Sequence, residues 1–104
     1  MKIAVIGANG QLGTDIYKAF LANGDEVFEL IHDRMDISVQ AEIVTTIKDI
    51  TPEIVVNTAA MHNVDDCEAN PAKSFAVNGI GARNLAVASE ELGFTLIHIS
   101  TDYV

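Results

Sequence analysis

The sequence predicts an α/β fold, a parallel sheet with helices packed on both of its faces. Three observations lead there. Short apolar runs rich in β-branched residues alternate with longer runs of helical period. The connections between them are short, apart from one after Ala60, which is the pattern of repeated strand–helix–strand units. A glycine-rich turn falls between the first strand and the first helix.

Each element follows from local chemistry. Residues 2–7, KIAVIG, form a short apolar run ending in glycine and read as a buried parallel strand. Residues 11–24 place Leu12, Ile16, Ala19, Phe20 and Leu21 at helical spacing, with Gly24 as the C-terminal stop. EVFELI reads as a second strand. A second helix carries Val39, Ile43, Ile47 and Ile50 on one stripe, with Ser38 as its expected N-cap and Thr51-Pro52 as its break. EIVVNTAA is a third strand, followed by the polar, irregular stretch MHNVDDCEAN. Pro71, preceded by Asn70 as cap, opens a long helix that runs to about Leu92 and stops at Gly93. That helix is rich in alanine and glycine, so close neighbours are expected on more than one side. FTLIHIS is a fourth strand, expected to lie inside the sheet of a complete protein.

Bulk properties narrow the function classes. The chain has 104 residues, 49% hydrophobic and 20% charged, which suits a globular domain and argues against disorder. Its net charge of −9 disfavours nucleic acid and anionic membranes as partners. A phosphorylated ligand stays open, because backbone N–H groups supply local positive potential. A single cysteine, Cys67, allows no internal disulfide and fits a reducing, cytoplasmic setting. No run is long enough to span a membrane, and the N-terminal apolar run is too short for a signal peptide. Repeats, low-complexity segments and linkers are absent, so no domain boundary is drawn.

The turn GANGQLG carries the chemistry. Gly7 permits the tight exit from the strand, Gly10 lets backbone approach a pyrophosphate, and Gly13 lets helix and strand pack closely. The helix then turns its N–H groups and positive dipole end toward phosphate. The context of strand, loop and helix makes this a dinucleotide site, and the fold a Rossmann-type doubly wound parallel sheet, incomplete at the C-terminus. The end of the second strand should read the adenosine ribose. Asp33 there favours a free 2′-hydroxyl, and Arg34 favours a 2′-phosphate. NADP(H) is the favoured expectation, with NAD(H) open.

Two residues, not one, separate the first two glycines. That spacing resembles the extended, sugar-nucleotide-modifying branch of the short-chain dehydrogenase/reductase family. Within it, RMDIS, NTAA, VDDCE, FAVNGIGARNLA and HISTDYV occur in the order found in the dTDP-4-dehydrorhamnose reductases, over a stretch like the first third of such an enzyme. The resemblance implies NAD(P)H-dependent reduction of the 4-keto group of a dTDP-6-deoxy-4-dehydrohexose to dTDP-L-rhamnose. Residues 1–104 would form the N-terminal portion of the NAD(P)-binding domain, with the substrate-binding part absent.

Carried over by likeness, Gly7, Asn9, Gly10, Gln11, Leu12 and Gly13 would bind the pyrophosphate, and Asp36 and Ile37 the adenine. Ala59 and Ala60 would line the nicotinamide ribose, and Asn78 would hold the active site or its water. Thr101 matches the hydroxyl of the catalytic Thr/Ser–Tyr–Lys set, donating to the developing alkoxide. Ser100, Asp102 and Tyr103 would shape the substrate side. Tyr103 is not the expected proton donor, because no lysine follows it at the Tyr-x-x-x-Lys spacing. That pair is expected beyond Val104, so the chain alone should be inactive.

Where the family commonly has an aromatic residue and a threonine, this loop has Met61 and His62. The departure leaves open a related nucleotide-sugar reductase or epimerase. It also leaves open a non-catalytic NAD(P)-binding regulatory subunit, such as that of methionine adenosyltransferase. His62, Asp65, Asp66, Cys67 and Glu68 match no zinc spacing, so no metal is expected. His98 reads as a hydrogen-bonded core histidine. The alanine/glycine-rich helix has two readings, packing within the domain or building the helix bundle of a homodimer.

Overall fold

The structure is a computed structural model and describes residues 1–7, 11–31, 34–58 and 71–99, with residues 71–78 described as backbone alone. Four strands and three helices alternate along it: β1 (Lys2–Ile6), α1 (Gln11–Ala22), β2 (Glu26–Leu30), α2 (Gln40–Ile50), β3 (Ile54–Asn57), α3 (Pro71–Leu92) and β4 (Thr95–His98). The sheet order is β2-β1-β3-β4 and every pair is parallel. This is the predicted α/β arrangement. β1, the most apolar strand, lies inside, with Ile3, Ala4, Val5 and Ile6 all buried.

The order of strands reverses after β2, so α1 lies on one face of the sheet while α2 and α3 share the other. On the shared face, Ile43, Ile47 and Ile50 of α2 and Leu85 and Ala88 of α3 close over Ala4, Ile6, Leu30 and Val55. The face under α1 is thinner. Ile3, Val5 and Val56 are buried there, with Ile16 and Phe20 of α1 only half-buried against them.

Several local expectations need correcting. Helix α2 begins at Gln40 with Val39 as its N-cap, and no side chain caps it. Ser38 instead donates from its backbone N (2.9 Å) and Oγ (2.6 Å) to Asp36 Oδ1, closing a turn before the helix. Two residues with the same capping chemistry stand two positions apart, and the turn wins. Val39 and Leu21 do not join the apolar stripes and are exposed. The helix ends behave as expected at Gly24 (φ 90°) and Gly93 (φ 78°). At the end of α2, Thr51 adopts a left-handed φ of 53°, unusual for a β-branched residue. Its N–H reaches back to Ile47 O at 2.7 Å.

β4 is an edge among the described strands, and Thr95, Ile97 and His98 are exposed. His98 is therefore hydrogen-bonded but not in the core. Asn57 Nδ2 donates to its Nδ1 at 3.0 Å. At the opposite edge β2 shows Glu26 and Glu29 to solvent, charges of the kind that discourage edge-to-edge pairing.

Candidate functional site: the carboxyl edge of the sheet

In an open parallel sheet, ligands bind beyond the carboxyl ends of the strands where the strand order reverses. Here that point lies between β1 and β3, and the entry to the glycine turn is fastened there from both sides. Gly7 N donates to Leu30 O (2.9 Å), tying the turn to β2. Thr58 N donates to Ile6 O (3.0 Å), tying β3 to β1. The buried Thr58 hydroxyl donates to Ile6 O (2.7 Å) and lies 3.3 Å from Gly7 O. Gly7 itself has φ 80°, a conformation that glycine adopts without steric cost and other residues rarely adopt. The sharp exit expected of the first glycine is thus present.

Helix α1 starts at Gln11, and no acidic residue sits in its first turn. Its positive dipole end is left uncompensated by side-chain carboxylates there, which favours an anion. Gly13 is the one buried residue of α1 and sits in that first turn. Gln11 is exposed and Leu12 half-buried. The geometry fits a pyrophosphate: a glycine exit at φ 80°, a helix end without its own anion, and a buried glycine in the first helical turn.

Beyond β2, residues 34–39 form a compact turn. Met35 is its buried plug, with Arg34 N and Met35 N both bonded to Ile31 O at 3.0 Å. Asp36 organises the turn through Ser38, its backbone N donates to Glu42 Oε1 (3.2 Å), and Asp36 O accepts from Val39 N (3.0 Å). Ile37 lies half-buried, and Arg34 is exposed beside the strand end. From the far side, Asn84 Nδ2 of α3 donates to Ile37 O at 2.9 Å.

The structure therefore brings Gly7, Gln11, Leu12 and Gly13 to the end of β1, and Arg34, Asp36 and Ile37 to the end of β2. Asn78 falls on α3, where its backbone alone is described. Asn9, Gly10, Ala59, Ala60, Ser100, Thr101, Asp102 and Tyr103 lie outside the described residues, as do Asp33 and the loop from Met61 to Glu68. Among the described residues, no group of His, Cys, Asp and Glu could hold a metal ion. No helix among them is long and apolar enough to cross a membrane. Sequence reasoning missed Thr58 and Asn84. Both act on distant backbone carbonyls, which no local pattern marks.

Comparison with known proteins identifies the lineage. The model of the RmlD substrate binding domain family matches residues 1–104. The chain belongs to that family. Among RmlD-type relatives, it is 41% identical over 103 residues to the spore coat polysaccharide biosynthesis protein SpsK of Bacillus subtilis, covering 99% of this chain and 36% of that protein. A crystal structure of a dTDP-4-dehydrorhamnose reductase from Clostridium acetobutylicum matches with a TM-score of 0.87 and 38% identity, covering 100% of this chain and 37% of that one. The Bacillus anthracis dTDP-4-dehydrorhamnose reductase, solved in complex with NADP, matches with a TM-score of 0.86 and 34% identity, covering 99% and 37%. This RmlD-family chain spans about a third of the length of the relatives it matches.

Proposed function

We propose that this chain is the dinucleotide-binding portion of an NAD(P)H-dependent nucleotide-sugar reductase, acting on the 4-keto group of a dTDP-6-deoxy-4-dehydrohexose. The observation that carries this reading is a glycine exit from β1 at φ 80° together with a following helix end that lacks its own carboxylate. The NADP complex of the Bacillus anthracis relative supports the choice of ligand.

When bound, the reduced nicotinamide supplies a hydride. The chain's own residues bind and orient. Gly7, Asn9, Gly10, Gln11, Leu12 and Gly13 hold the pyrophosphate, Asp36 and Ile37 the adenine, and Ala59 and Ala60 keep the ribose wall low. Asn78 supports the catalytic end. Thr101 donates a hydrogen bond to the substrate carbonyl oxygen, where negative charge develops as the carbon is reduced. Ser100 and Tyr103 flank the sugar, and residues outside 1–104 build the rest of its pocket. Arg34, exposed at the end of β2, selects NADPH through the 2′-phosphate. The outward side of α3 exposes Ile80 and Val87, one face of a homodimer's helix bundle. The cytoplasm is the compartment in which such a nucleotide-sugar step and a lone cysteine belong.

Calorimetric titration with NADPH and NADH, beside Gly10→Trp, tests the site. Binding by the wild type that the tryptophan abolishes is the expected result. Arg34→Ala should lower the NADPH-over-NADH preference about tenfold, the loss of a charge-assisted contact. A folded wild type that binds neither dinucleotide would overturn the reading.

A further inference from the structure

The turn at residues 34–39 is held by more than its own hydrogen bonds. Met35 anchors it from beneath, and the Asp36–Ser38 bonds shape it from within. Ile37, inside that turn, also meets α3 through both its carbonyl and its side chain. Asn84 Nδ2 donates to the carbonyl at 2.9 Å, across 47 positions of sequence. One turn earlier on the same helix, Gly81 is buried against the Ile37 side chain. A Cβ added at Gly81 would stand 2.6 Å from Ile37 Cγ1 and closer still to Cδ1. By contrast Gly79, two residues away, faces open space.

This pairing is specific. The contact at position 81 leaves no room for a side chain, and the amide at position 84 supplies a donor to a loop carbonyl rather than to a helix or strand. Together they set the height and the rotation of Ile37 over the end of β2. That strand end is where a doubly wound fold reads the adenosine half of a dinucleotide.

We infer that Gly81 and Asn84 of α3 are positioning residues for the adenine half of the cofactor site, acting through Ile37. The inference rests on the dinucleotide reading proposed above. It makes α3 part of the binding apparatus at a second place, about one to two helical turns beyond Asn78.

The test uses the full chain, ADP as the probe, and hydrogen exchange as an independent readout. Asn84→Ala and Gly81→Ala should each weaken ADP about five- to tenfold, the equivalent of one neutral hydrogen bond or a comparable displacement. Amides of residues 36–39 should exchange faster in Asn84→Ala, while those of β1 and the first turns of α1 keep their protection. A general loss of structure would instead speed exchange everywhere. Unchanged ADP affinity in both variants, beside a wild type that binds, would overturn this inference alone. So would faster exchange spread evenly over the chain. A wild type that binds neither ADP nor NADPH would bring down the cofactor reading, and this inference with it.

Discussion

The two faces of the sheet belong to the same four strands, yet they differ in how well they are closed. Under α2 and α3, Ile43, Ile47, Leu85 and Ala88 are at most 2% exposed. Under α1, Ile16 and Phe20 stay half-buried, and Ile97 of β4 is 42% exposed on that same side. What differs is the number of helices. α1 packs on β1 and β2, and among the described residues no helix covers β4 on that face, whereas α2 and α3 also pack on each other. Burial along a strand is therefore set by the helix above it as much as by the strand's own residues.

The largest expected effect tests the closed face. Leu85→Ala should cost about 2–5 kcal/mol in urea unfolding, because a fully buried side chain in a two-helix contact leaves a cavity that cannot collapse freely. Phe20→Ala removes a larger side chain from the thinner face and should cost only about 1–2 kcal/mol, since much of it already meets water. Equal costs would break the comparison. Thr51→Gly should gain about 0.5 kcal/mol, or roughly 2–4 °C in Tm by scanning calorimetry. It relieves the left-handed backbone at the end of α2 while giving up the Thr51 Oγ1 to Ile50 O bond of 2.7 Å. Smallest in stability is Ile97→Lys, expected to shift unfolding by less than about 0.5 kcal/mol. It should nevertheless lower self-association of the chain in light scattering, because it places a charge on an apolar edge strand.

The order of elements is legible in the sequence because periodicity and punctuation agree at nearly every step. Gly24, Thr51-Pro52, Pro71 and Gly93 stand at or beside the ends of helices, and the long helix has the expected limits. Ser38 shows where local reading fails. Both Asp36 and Ser38 have capping side chains, yet neither caps α2, because they bond to each other in the turn that buries Met35. Exposure fails in the same way: Leu21 and Val39 fit an apolar spacing, but both stay exposed among the described residues. At the site, glycine positions announce themselves because backbone conformation demands them, as Gly7 shows. Thr58 and Asn84 do not, because their partners are carbonyls 50 or so residues away. A hydroxyl or amide bonded to a distant backbone leaves no trace in spacing.

The central strand has a kinetic consequence. β1 precedes the other three described strands in the chain, and its two neighbours come from far downstream: Ile3 pairs with Val27 on one side and with Ile54 on the other. No hairpin can form in such a sheet, so every pairing must wait for a crossover helix to bring the next strand round. The nascent chain thus carries an apolar strand with one edge unpaired until β3 has been made. Charge or bulk introduced into β1 will be felt as slow folding and early aggregation well before it is felt at the finished site.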